Sequence, residues 1–132
     1  MKRNLLFVTI AVVVVGLWQA PGLLAQDART LTGEYVWSGG GGGGDLEAVF
    51  TPAGEGSWSV EFHFEHRGKP HTYTGTAEGS VSEGPLRGTV LNENKKRTFT
   101  FEGQFKEGTF RGTHSEIEDG KQKSTGTLTL LG

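Results

Sequence analysis

Phe99-Thr-Phe101-Glu-Gly103-Gln-Phe105-Lys-Glu-Gly108-Thr-Phe110-Arg-Gly112-Thr-His114 decides the fold of this chain. Side chains of a strand alternate between two faces. Phe99, Phe101, Gly103 and Phe105 therefore share one face, and Thr100, Glu102 and Gln104 the other. Glu107-Gly108 reads as a turn, after which Phe110, Gly112 and His114 return with the same alternation. The stretch is a hairpin with one apolar and one wet face. Glycine stands among the apolar residues, where it weakens a strand and marks a sharp bend or a close approach.

The same rhythm runs through the chain. It appears as Leu31-Thr-Gly33-Glu-Tyr35, Tyr73-Thr-Gly75-Thr-Ala77, Ala77-Glu-Gly79-Ser-Val81, Leu86-Arg-Gly88-Thr-Val90 and, more weakly, Ser124-Thr-Gly126-Thr-Leu128. Residues 74–89 and 98–113 align without gaps at a 24-residue offset, matching Glu83-Gly84 to Glu107-Gly108 and Arg87-Gly88-Thr89 to Arg111-Gly112-Thr113. Each copy reads as strand, Glu-Gly turn, strand. Glycines repeated on one inner face predict a small, strongly coiled sheet that closes on itself.

Turn signals divide the region into eight candidate strands: 31–38, 46–52, 57–66, 71–81, 86–92, 97–105, 109–117 and 122–131. The connections are short, which favours hairpins. No stretch after the N-terminus holds a helical period. The expected fold is all-β: a small antiparallel up-and-down barrel of about eight strands. Its outer face is Thr, Ser, Glu, Arg and Gln, the reverse of an outer-membrane barrel. An eight-stranded barrel is either filled by side chains or holds one small ligand.

The N-terminus reads as a secretory signal peptide. Lys2 and Arg3 precede an uncharged apolar run from Leu5 to Leu17, and Leu23-Leu24-Ala25 supplies a cleavage site. The run is short for a membrane span. The expected organisation is 1–25 signal peptide and 26–132 a single barrel domain, secreted or periplasmic. Formal charge is −2, becoming −4 without Lys2 and Arg3. A mildly acidic chain with no basic block argues against nucleic acid. The absence of cysteine from an exported small domain favours a bacterial periplasm or exterior over a disulfide-stapled eukaryotic scaffold.

Few residues carry chemistry. The glycine run 39–44 lacks the Gly-Lys-Ser/Thr and helix of a phosphate cradle, so it reads as a flexible mouth loop. His63 and His66, three apart on a strand, face opposite sides. Trp37, His66, His71, Tyr73, Asn92, Arg97, His114 and Glu116 share inward parity toward one end of the barrel. A polar and aromatic ring over an apolar interior is the pattern of a ligand pocket. Three imidazoles with Glu116 also suit zinc or copper, but they come from different hairpins without motif spacing, and no metal or other cofactor is expected. No nucleophile-elbow pattern occurs. Glu61 and Glu65 lie on the convex face, which offers no cleft to tune a carboxylate for glycoside hydrolysis. The outward threonines at 72, 74, 76, 98 and 100 are good strand formers in water.

Leu31-Thr-Gly33-Glu-Tyr35 and the repeated Thr-Gly-Thr and Arg-Gly-Thr entries resemble small secreted meander barrels of the avidin and lipocalin kind. The resemblance implies the barrel and lends no site residues. Only Trp37 and Trp58 remain after cleavage to match avidin's pocket tryptophans. Gly33-Glu-Tyr35 stands where lipocalins carry Gly-x-Trp, and no room is left for their helix.

The expected function is a non-catalytic exported barrel that binds a small, partly apolar molecule at its mouth. The alternative is a structural or protein-interaction module of the cell envelope with a packed interior.

Overall fold

Three of the turns are two-residue loops with positive φ at both positions: Arg67 and Gly68 (56° and 77°), Glu107 and Gly108 (56° and 80°), Asp119 and Gly120 (52° and 75°). This is the type I′ geometry, whose twist matches that of the flanking strands and closes them into tight antiparallel hairpins. The computed structural model describes residues 27–132. The signal peptide expected over 1–25 lies outside the described residues.

The strands are β1 (Arg29–Trp37), β2 (Gly43–Gly54), β3 (Ser57–His66), β4 (Lys69–Gly79), β5 (Gly84–Asn92), β6 (Thr98–Lys106), β7 (Thr109–Glu118) and β8 (Lys121–Leu131). Each pairs antiparallel with the next, and β1 pairs with β8, so the eight strands form a closed up-and-down barrel. The glycine run splits: Ser38–Gly40 makes one 3-10 turn, and Gly43 and Gly44 enter β2.

The two-copy repeat is less symmetric than its sequence. The second copy turns tightly at Glu107-Gly108. The first does not turn at Glu83-Gly84: β4 stops at Gly79, and Ser80–Glu83 forms a longer loop. There Ser80 Oγ accepts from the Ser82 and Glu83 amides (3.1 and 3.0 Å). Gly103 faces Gly112 in the second copy, whereas Gly79 faces Leu86 and Ala77 faces Gly88 in the first. The slip is by two residues, so face parity survives, and the looped-out Val81 buries its side chain at the closed end.

The inward glycines are sites of close backbone approach. A Cβ at Gly33 would run into the Thr129 carbonyl oxygen, and one at Gly75 into that of Thr89. Without these side chains neighbouring strands lean inward, and a small barrel coils tightly enough to close. Below them Leu31, Phe50, Val60, Leu86, Phe105, Phe110 and Leu130 fill the end reached by the β2–β3, β4–β5 and β6–β7 turns. Trp58 seals this end, its ring against Phe50 (6.4 Å) and its Nε1 donating to the Gly79 carbonyl (3.0 Å). The outer face is polar, with Ser59, Thr76, Thr89 and Thr100 side by side across four strands. Among the described residues no helix is long and apolar enough to cross a membrane.

Candidate functional site

The other end, reached by the β1–β2, β3–β4, β5–β6 and β7–β8 connections, is not filled. A cavity of ≈ 70 Å³ lies there, walled mainly by Tyr35, Trp37, Leu46, Phe62, Phe64, Tyr73, Phe99, Phe101, His114 and Leu128. Its walls hold one another in edge-on and tilted contacts. Trp37 meets His114 at 5.1 Å and 83°, and Phe99 at 5.9 Å. Phe64 lies between Tyr35 (5.2 Å) and Tyr73 (5.5 Å). Such contacts favour fixed ring positions, so the wall is preorganised rather than soft.

His114 anchors the seam between β7, β8 and β1. Its Nε2 is 3.1 Å from the Val36 carbonyl oxygen and its Nδ1 is 2.7 Å from Thr125 Oγ1. A carbonyl only accepts, so Nε2 carries the proton, and the Thr125 hydroxyl donates to Nδ1 of the neutral ring. Gly126 makes the seam possible: a Cβ there would collide with the Val36 carbonyl and sit 2.7 Å from Nε2. Burial pushes the His114 pKa down, and the Val36 bond opposes this only in part. Both ring nitrogens are engaged by the protein, so His114 shows the cavity its ring and no polar handle.

Of the eight residues read from the sequence, Trp37, Tyr73 and His114 line the cavity. The other five stand around its rim. Arg97 clamps Glu116 with two bonds, Nε to Oε2 (2.9 Å) and Nη2 to Oε1 (3.0 Å), and its guanidinium lies 5.0 Å over the Phe99 ring. This clamp holds the Glu116 carboxyl below the usual range. Asn92 works on the backbone, its Oδ1 accepting from the Lys96 and Arg97 amides (2.9 and 3.0 Å) and closing the β5–β6 loop. His71 stacks on Phe64 (5.5 Å, 24°) with Nδ1 3.7 Å from Glu93 Oε1, and the exposed His66 ring is 6.3 Å away. The Glu93 carboxyl accepts from the Thr72 amide (2.8 Å), which lowers its pKa. His63 lies on the outer face, 2.9 Å from Glu61. Among the described residues no three His, Asp or Glu side chains gather closely enough to hold a metal ion.

Several site residues escaped the sequence reading, Lys123, Thr125 and Tyr35 among them. Lys123 faces Glu116 at the rim, although simple alternation from Leu128 puts it outside. The cause is a bulge: His114 pairs with Gly126 and Ser115 with Ser124, leaving Thr125 as an extra residue that flips the parity of β8 beyond it. Thr125 itself was hidden for the same reason. Tyr35 had inward parity in Leu31-Thr-Gly33-Glu-Tyr35, and that alternation was the signal that placed it beside Trp37.

Neither a protein-family model nor a curated protein matches this sequence.

Proposed function

We propose that this protein is an exported, non-catalytic barrel that binds a small, partly apolar molecule at its mouth. The observation that carries the reading is the uneven filling of one interior. The closed end is packed to contact, while the mouth end keeps an aromatic-walled cavity. Proteins leave few voids larger than a water, and each costs stability. An apolar cavity under a polar rim is also the usual make-up of a small-molecule site.

The size limits the ligand. An engineered apolar cavity of about 150 Å³ takes benzene, and this one encloses ≈ 70 Å³. It suits the leading edge of one ring or a short alkyl end, with the remainder at the rim beside His71, Arg97 and Lys123. The small volume also favours the second reading, a structural or interaction module whose interior is simply packed.

Trp37 supplies the test. With Trp58→Phe in the processed protein, Trp37 is the remaining tryptophan reporter. Titration with cumene is expected to shift its emission saturably, and Leu128→Phe, which fills the cavity, to abolish the shift. An emission spectrum indifferent to cumene in both proteins supports the packed module instead.

A further inference from the structure

Two tyrosines stand in the wall of the apolar cavity. Tyr35 and Tyr73 are only 8% and 9% exposed, and both line the cavity. A buried phenol hydroxyl normally finds a hydrogen-bond partner. No side-chain hydrogen bond is made by either hydroxyl among the described residues. The Tyr35 ring and hydroxyl pass over Gly44, which has no side chain to obstruct them: a Cβ there would be 3.0 Å from Tyr35 Oη. The charges of Arg97, Glu93 and Glu116 act on the Tyr73 hydroxyl. The two phenol rings stand on either side of Phe64, 5.2 and 5.5 Å from it, in the wall of the cavity.

Resting on the mouth-binding reading, we propose that Tyr35 and Tyr73 together grip one neutral oxygen of the ligand, a carbonyl, ether or hydroxyl attached to the ring that enters the cavity. Two features select a neutral group. Burial raises both phenol pKa values, so both stay protonated and able to donate at ordinary pH. The rim cations Arg97 and Lys123 both face Glu116, and a buried carboxylate without a counter-charge is costly. The ligand class is thus an aromatic or compact cyclic ketone, ether or alcohol, inserted ring-first with its oxygen toward solvent.

The test compares acetophenone with cumene, which has the same heavy-atom skeleton and no oxygen, by calorimetric titration of the purified protein and of Tyr35→Phe and Tyr73→Phe. Each substitution is expected to weaken acetophenone several-fold, in line with one hydrogen bond, and to leave cumene unchanged. Benzoate is expected to bind more weakly than acetophenone. If both substitutions change acetophenone and cumene alike, or change neither, the oxygen grip is overturned while mouth binding stands. Tighter benzoate overturns the choice of a neutral group. Binding of neither acetophenone nor cumene to the unmodified protein overturns the mouth site and the grip with it. Each substitution removes one oxygen from a residue whose ring remains, so folding is preserved, and far-ultraviolet circular dichroism of each variant verifies this.

Discussion

Thr125 Oγ1 lies 2.7 Å from His114 Nδ1 and 3.0 Å from the His114 carbonyl oxygen. One hydroxyl proton cannot serve both. While His114 is neutral the proton goes to Nδ1. When the ring is protonated Nδ1 becomes the donor, and the hydroxyl turns to the carbonyl. The extra residue of the β8 bulge is therefore the partner that keeps a buried imidazole satisfied. Thr125→Val, which keeps the shape and removes the hydroxyl, is expected to destabilise the barrel by about 1–3 kcal/mol. Thr125→Ser is expected to cost much less. Urea denaturation of the two variants side by side checks this.

His114 also gives the barrel a pH dependence of definite sign. Its folded pKa is depressed by burial, so its contribution is fully present above its unfolded pKa of about 6.5. That contribution is lost as pH falls from there through the folded value. The acids Glu93 and Glu116 are held below the usual carboxylate range, so theirs is lost only at more acid pH, below about 4.3. Between pH 7.5 and 5 the urea midpoint is expected to fall, and His114→Gln to flatten that slope whatever it does to absolute stability. An equally steep slope in the variant contradicts the assignment.

The inward glycines are predicted to resist enlargement. A Cβ at Gly88 would lie 2.7 Å from Phe101 Cζ, and one at Gly112 would be 2.8 Å from Phe110 Cζ and against the Glu102 carbonyl oxygen. Gly88→Val and Gly112→Val are each expected to cost at least about 1–3 kcal/mol through overpacking. Equilibrium unfolding measures it, and neutral results at both positions contradict the inward assignment.

The rim pair should behave differently. Arg97 and Glu116 have side chains 47% and 13% exposed, so solvent screens much of their attraction. Arg97→Ala is expected to lower stability by no more than about 1 kcal/mol. Thermal unfolding distinguishes this from the larger loss expected at Thr125.

Much of the barrel was legible because two signals agreed. Alternation in Phe99–Phe105 and Trp58–Phe64 set the faces, and Arg67-Gly68, Glu107-Gly108 and Asp119-Gly120 set the turns. Two departures came from features without a local signature. The Glu83-Gly84 match suggested a tight turn, but Val81 finds burial at the closed end, and the chain loops at Ser80–Glu83 to allow it. The bulge at Thr125 turned Lys123 inward, and a single inserted residue leaves no mark in a Lys-Ser-Thr-Gly stretch. Asn92 had the predicted parity, yet its side chain serves the loop backbone, a choice set by the geometry of residues 93–97.

The most direct test of the mouth as a binding site is native mass spectrometry of the purified protein, compared with its denatured mass. The account predicts a mass excess that is lost on denaturation and is displaced by acetophenone. Such an excess should be missing from Leu128→Phe. A protein that flies without added mass, and that acquires none from acetophenone or cumene, contradicts it.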